Sequence, residues 1–178
     1  DVTMDQVMAD IEAACDAVST AGKVGIVGYC WGGSICYVAA ARLSDKISAA
    51  SGYYGGQIMP HIEEEPKAPL MLHFGEQDAG IPLENVHAIA QRWPDIGVHI
   101  YEEAGHGFNC DARGSYDASS AAIALERTLD QPTPDLGYCF TVRRVEHPLT
   151  DEAGFDATGV CEGLGQHIRH VEPSGEAR

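Results

Sequence analysis

The segment Val24-Gly25-Ile26-Val27-Gly28-Tyr29-Cys30-Trp31-Gly32-Gly33 constrains this chain more than any other. Its opening is a short apolar run rich in β-branched residues, which reads as a buried strand. Glycines then stand two positions either side of Cys30, and Ser34 to Leu43 continues as a helix-like stretch. A strand, a sharp turn and a helix in that order hold the middle residue of the turn at a strained backbone angle and point it outward from the end of the sheet. Aligned peptide dipoles at the start of the following helix favour an anion there. The spacing therefore predicts an outward-facing Cys30 able to act as a nucleophile. The plainer reading of the same residues is a small core cysteine beside glycines that merely close a turn.

The rest of the chain tells which kind of sheet receives this turn. Met4, Val7, Met8, Ile11, Ala14, Cys15 and Val18 recur at three- and four-residue spacing, which predicts an amphipathic helix over Asp5 to Val18, ended by Gly22. Ile47 to Ser51, Leu70 to Phe74 and Val98 to Tyr101 are short, mostly apolar runs that read as further strands. Leu83 to Trp93 and Ser119 to Leu129 carry helical patterns between and after them. Strands alternating with helices predict an α/β fold with a parallel sheet covered by helices. Gly55 to Pro69 breaks the rhythm with paired glycines, prolines and the acidic run Glu63-Glu64-Glu65, and reads as a surface excursion near the strand ends, its charges solvated. Beyond Asp130 the periodicity fails, so residues 1–130 are expected to form the domain and residues 131–178 an irregular, poorly ordered tail.

Composition narrows the function classes. With 178 residues the chain is sized for one domain, and 11 Lys plus Arg against 27 Asp plus Glu give a net charge of -16. Such a surface repels phosphate backbones and anionic headgroups, so neither nucleic acid nor membrane is an expected partner. The longest apolar runs fall far short of the roughly 20 residues needed to span a bilayer. Six scattered cysteines without a C-x-x-C pair point to a reducing compartment, read as cytoplasmic, rather than to disulfide staples. No metal and no cofactor are expected: His167 and His170 share a glycine-rich tail with no third ligand.

A nucleophile on such a sheet needs a histidine and a carboxylate from loops after later strands, in that fold's chain order of nucleophile, carboxylate, histidine. Asp78 follows Leu70 to Phe74, and His106 follows Val98 to Tyr101. Both stand just past a strand's C-terminal end, where open α/β sheets bind their ligands. Glu76, Glu102 and Glu103 are competing carboxylates. His73, inside a strand, reads as a satisfied core histidine, His87 and His99 as surface residues, and Cys36 as packing.

Gly28-Tyr29-Cys30-Trp31-Gly32-Gly33, Tyr53-Tyr54-Gly55, His73-Phe74-Gly75 with Asp78, and Gly105-His106-Gly107-Phe108 together resemble the dienelactone hydrolases, which are cysteine-dependent α/β-hydrolases. The resemblance covers roughly residues 1–130 and includes the Leu125-Glu126-Arg127-Thr128-Leu129 helix. It implies a Cys-His-Asp triad that opens an enol-lactone ring through an acyl-enzyme: Cys30 as nucleophile, His106 as base then acid, Asp78 orienting His106. The backbone N–H of Trp31 is the oxyanion donor this turn supplies. Tyr53 and Tyr54 end a strand beside it; the resemblance suggests Tyr54 as a phenol lining the acyl pocket, and a half-buried strand-end tyrosine is the other reading.

The family pattern has further strands and helices ahead of the nucleophile, with a glutamate, a substrate-binding arginine and an oxyanion amide. The chain is accordingly expected to be the C-terminal portion of an α/β-hydrolase fold, with the Val24 to Val27 strand short of neighbours on one side. The family also places an arginine four positions after the histidine, where this chain has Cys110; Arg113 is the nearby candidate for a substrate carboxylate. The expected function is hydrolysis of a small lactone or ester. Its rivals are a non-catalytic remnant acting as a binding or assembly module, and a thiol redox protein, which lacks a resolving cysteine at motif spacing.

Overall fold

The computed structural model describes residues 2–131 and the backbone of Phe140–Thr141. The chain opens with helix α1 (Met4–Val18), whose first turn is closed by a capping box: Thr3 Oγ1 accepts from the Gln6 N–H, and Gln6 Oε1 accepts from the Thr3 N–H at 2.8 Å. Strand β1 (Gly25–Tyr29) leads through Cys30 into α2 (Trp31–Arg42), followed by β2 (Ala49–Tyr53), β3 (Leu70–Gly75), α3 (Leu83–Arg92), β4 (Gly97–Tyr101) and α4 (Ala118–Leu129). A two-residue strand β5 (Phe140–Thr141) completes the described elements.

The strands form one parallel sheet in the order β4-β3-β2-β1-β5. Parallel neighbours need a crossover connection, usually a helix: α2 joins β1 to β2 and α3 joins β3 to β4, while β2 and β3 are joined by the excursion 54–69. Register puts Tyr29 beside Tyr53 and Tyr53 beside His73, so β1 and β2 end level while β3 runs two residues further, to Gly75, which stands beside Tyr101 at the end of β4. On its other side β1 pairs with β5 through Gly25 and Ile26, so at those two residues the strand expected to lack a neighbour on one side has one. Apart from Gln131 and these two residues, the tail expected from Gln131 lies outside the described residues.

Helix α2 is the centre of the core. Gly33 to Ala40 are all buried, and such a helix, apolar or small on every side, has no solvent face to offer. Small residues let it lie close to the sheet: a Cβ on Gly33 would meet the backbone of Tyr53, and one on Gly52 would meet the Gly33 carbonyl. Helix α1 rides outside α2 and is tied down electrostatically, with Arg42 Nη1 2.8 Å from Asp5 Oδ1 and Lys46 Nζ 2.7 Å from Asp16 Oδ1. Amphipathic α3 buries Val86 and Ile89, each contributing about 1.5–3 kcal/mol of apolar transfer.

The excursion between β2 and β3 is less free than its acidic run suggests. Tyr37 Oη donates toward the carbonyls of Ile62 and Glu64, at 3.1 and 3.0 Å. Arg42 grips both Glu64 oxygens, at 2.6 and 2.8 Å, and this pairing, with His61 beyond it, holds the Glu64 carboxyl down at about 2. Glu63 meets Arg92 at 3.1 Å.

Opposite α2, helix α4 covers a buried polar cluster. Tyr53 Oη donates to the Ala124 carbonyl at 3.0 Å and lies 2.7 Å from Thr128 Oγ1, which is also 3.0 Å from Ser51 Oγ. His73 joins them, with Nε2 3.1 Å from Thr128 Oγ1 and Nδ1 2.7 Å from Tyr101 Oη. His73 is therefore the satisfied core histidine expected, and burial, followed by the nearby His99 and Arg127 charges, pushes its imidazole down to about 3. His87 is exposed, whereas His99 is half-buried, stacked on His73 at 5.5 Å.

Candidate active site

Cys30 stands at the junction of β1 and α2 with φ +54 and ψ -118, as the N-cap of α2. A non-glycine residue at positive φ is strained, and here the strain turns the chain from strand to helix within one residue. Gly28 makes the turn possible, since a Cβ there would overlap the Gly32 carbonyl and sit 2.9 Å from Cys36 Sγ. Gly32 itself has open space where a Cβ would go, so the second obligatory glycine is Gly33, packed on Tyr53, rather than Gly32. The sequence spacing alone places the two demands symmetrically about Cys30, at Gly28 and Gly32. Helix α2 consequently begins at Trp31, three residues before the expected Ser34.

The Cys30 side chain is exposed, and His106 Nε2 lies 3.3 Å from its sulfur. His106 Nδ1 lies 2.7 Å from Asp78 Oδ2. The Asp78 carboxylate is fully buried, and its other oxygen accepts the Gly80 N–H at 2.9 Å. With Nδ1–H donated to the carboxylate, Nε2 carries the lone pair that faces the thiol. The structure thus brings together Cys30, His106 and Asp78, from loops after β1, β4 and β3. This contact chain allows imidazole to accept a thiol proton.

Asp78 is held by the turn after β3, where Gln77 N–H donates to the Ala104 carbonyl and Glu76 N–H to that of Tyr101, each at 2.9 Å. These bonds staple the carboxylate loop to the histidine loop. Ser115 Oγ adds a 2.7 Å bond to the His106 carbonyl. Trp31 is the first residue of α2, a position whose amide has no acceptor within the helix. Arg113 is exposed and its side chain lies over Gly107, where a Cβ would be 2.9 Å from Arg113 Cδ. Tyr54 is buried, its ring against His106. Cys36 is buried in α2 and burial pushes its thiol up to about 12, which leaves it inert as a nucleophile.

Cys15, Cys30, Cys36 and Cys110 are free thiols. Among the described residues no group of three or more His, Cys, Asp or Glu side chains has the arrangement to hold a metal ion, and no helix is long and apolar enough to cross a membrane. His167 and His170 lie outside the described residues.

A parallel sheet with a strained strand-to-helix turn, and with a carboxylate and a histidine from the ends of later strands, defines an α/β-hydrolase-type domain. Comparison with known proteins specifies it further. The model of the dienelactone hydrolase family matches residues 1–131, and the chain belongs to that family. It is 40% identical over 118 residues to the carboxymethylenebutenolidases of Pseudomonas putida and Pseudomonas knackmussii, covering 64% of this chain and 49% of each relative. The chain therefore spans about half the length of these curated relatives. A solved "Putative Dienelactone Hydrolase" from Klebsiella pneumoniae superposes with a TM-score of 0.63 at 28% identity, over 73% of this chain and 61% of that one. Est1E from Butyrivibrio proteoclasticus, with a TM-score of 0.57 at 16% identity over 73% of this chain and 71% of its own, shares the fold.

Proposed function

We propose that this chain carries the reacting groups of a cysteine hydrolase that opens small lactones or cleaves small esters through an acyl-enzyme. The observation that carries the reading is the unbroken contact chain from Cys30 Sγ through the two His106 nitrogens to Asp78, at 3.3 and 2.7 Å. His106 Nε2 takes the Cys30 proton while the thiolate adds to the acyl carbon. The developing oxyanion faces the Trp31 N–H, and one such donor typically contributes about a hundredfold or more in rate. The C–O bond of the ester then breaks as the imidazolium returns the proton to the leaving oxygen. Water, deprotonated by His106, releases the acid from the thioester, and the proton goes back to sulfur. No redox partner or cofactor enters this balance. Arg113, exposed beside Gly107, is the cation suited to a carboxylate on the substrate. The carboxymethylenebutenolidase names of the Pseudomonas relatives support a lactone as the substrate class.

Labelling with a small activated ester, followed by peptide mass spectrometry, tests this. Acyl adduct on Cys30, turnover lost in Cys30→Ala and kept in Cys36→Ala, is the expected result. Mixed disulfides on Cys30 without acylation would indicate thiol redox chemistry, and a folded but unlabelled chain would indicate a non-catalytic module.

A further inference from the structure

We infer that Tyr54 is a positioning residue that holds the His106 imidazole against Cys30 and Asp78, and not a phenol that contacts substrate; the inference rests on the hydrolase reading above. Tyr54 follows the last residue of β2 and adopts φ +40, joining Cys30 and Glu103 as the non-glycine residues at positive φ among the described residues. A bulky aromatic residue is disfavoured there, and such strain persists only where the surroundings over-determine it. They do so here. The Tyr54 N–H donates to the His73 carbonyl at 2.7 Å. The following Gly55 is pressed onto α2, where a Cβ would be 2.7 Å from the Ser34 nitrogen, and Gln57 N–H donates to Ser34 Oγ at 2.9 Å.

The turn redirects the side chain. In an extended strand residue 54 would point to the face opposite Tyr53, yet both rings meet Phe108, at 6.3 Å for Tyr53 and 5.5 Å for Tyr54. Tyr54 is left 4% exposed, with its ring centroid 5.1 Å from that of His106 at an interplanar angle of 58°. Phe108 stands edge-on behind it at 76°. The two nitrogens of His106 are held by Asp78 and Cys30, which fixes the axis between them but leaves the ring free to tip about it. The Tyr54 contact opposes that tipping. Once the thiol proton is on the imidazole the ring is a cation, and an aromatic neighbour within about 6 Å attracts it. The charged and titratable groups around His106 include Asp78, Cys30, the Tyr54 phenol and, over Gly107, Arg113.

Tyr54→Phe and Tyr54→Leu, made in the full chain, test the assignment with p-nitrophenyl acetate turnover and with the pH dependence of Cys30 alkylation by iodoacetamide. Tyr54→Phe keeps the ring and is expected within about twofold of wild type in kcat and KM. Tyr54→Leu is expected to lower kcat about tenfold with KM little changed, and to move the pH midpoint of alkylation upward. A severalfold rise in KM at constant kcat in Tyr54→Phe would mean a substrate-contacting hydroxyl and overturn the proposal, as would a Tyr54→Leu variant equal to wild type in both readouts. Should Tyr54→Leu melt below the assay temperature, Tyr54→Met serves with the same readouts. Absence of turnover in wild type sinks the hydrolase reading alone, because the alkylation profile still reports the Tyr54 contact.

Discussion

The main-chain N–H of Cys30 donates to the carbonyl of Tyr53 at 2.9 Å, so the thiol-bearing residue hangs from the end of the neighbouring strand as well as from its own helix. That bond explains why Gly33 matters: its missing side chain lets α2 sit on the same Tyr53 backbone that holds Cys30.

Gly33→Ala should therefore be costly and Gly32→Ala should not. A Cβ at Gly33 meets backbone that cannot yield, whereas one at Gly32 meets nothing within 4 Å. Destabilisation of about 1–3 kcal/mol is expected for Gly33→Ala. Gly32→Ala is expected to be neutral or stabilising by up to about 1 kcal/mol, from helix propensity. Thermal melts of both variants decide it, and equal behaviour would contradict the geometry.

Asp78→Asn tests the tautomer argument. An amide can present its NH2 to His106 Nδ1, which moves the imidazole proton to Nε2 and takes away the lone pair facing Cys30. Turnover of an activated ester is expected to fall by about 10²- to 10⁴-fold at nearly unchanged melting temperature. A loss of less than about fivefold would remove Asp78 from the proposed mechanism.

His73 predicts an acid sensitivity. Its imidazole is held neutral down to about 3 in the fold, while the unfolded chain protonates near 6.5. Below pH 6.5 the unfolded chain binds a proton the folded chain refuses, so this contribution to stability is intact above 6.5 and declines as pH falls toward 3. The decline amounts to about 2 kcal/mol by pH 5. Urea midpoints between pH 7 and pH 5 should fall more steeply for wild type than for His73→Gln; parallel slopes would refute the assignment.

Glu64 predicts a smaller effect in a lower window. Its carboxyl, held near 2 by Arg42 and His61, contributes stability that is present above about 4.5 and lost as pH falls toward 2. The pair is partly exposed, with each side chain 32% accessible, so Glu64→Gln at pH 7 should lower stability by only about 0.5–1 kcal/mol. Chemical denaturation at low and high salt checks this, since most of the difference should disappear at high ionic strength.

The elements, and the three residues that meet at the sheet edge, were legible in the sequence because each rests on a local rule: apolar runs of strand length, a turn flanked by glycines, and side chains just past strand ends. Cys30, Asp78 and His106 stand 48 and 28 residues apart in the chain, and only the sheet order makes them neighbours. Boundaries moved where small residues concealed them. Trp31-Gly32-Gly33 has weak helix propensity yet forms the first turn of α2, and β2 runs from Ala49 to Tyr53 rather than from Ile47 to Ser51, taking in Gly52, whose missing Cβ leaves room for the Gly33 carbonyl of α2. The burial of Tyr54 could not be read at all, since the backbone turn that redirects it depends on His73 and Ser34, 19 and 20 residues away. Likewise Glu64 looked like one member of a solvated run until the fold brought Arg42 to it.

Strand β2 supplies none of the three contacting side chains, yet it separates the strand that launches Cys30 from the one that launches Asp78. Parallel neighbours stand about 4.8 Å apart, so those two launch points are separated by roughly 10 Å, and the imidazole arriving from β4 has to span back across β3 to close the gap. The sheet thus works as a ruler graduated in whole strands. Loop substitutions can fine-tune the reach of His106 by fractions of an ångström, but the gross spacing is an integer that point mutation in a loop cannot alter. A redesign seeking a wider or narrower gap has to change how many strands stand between the two launch points.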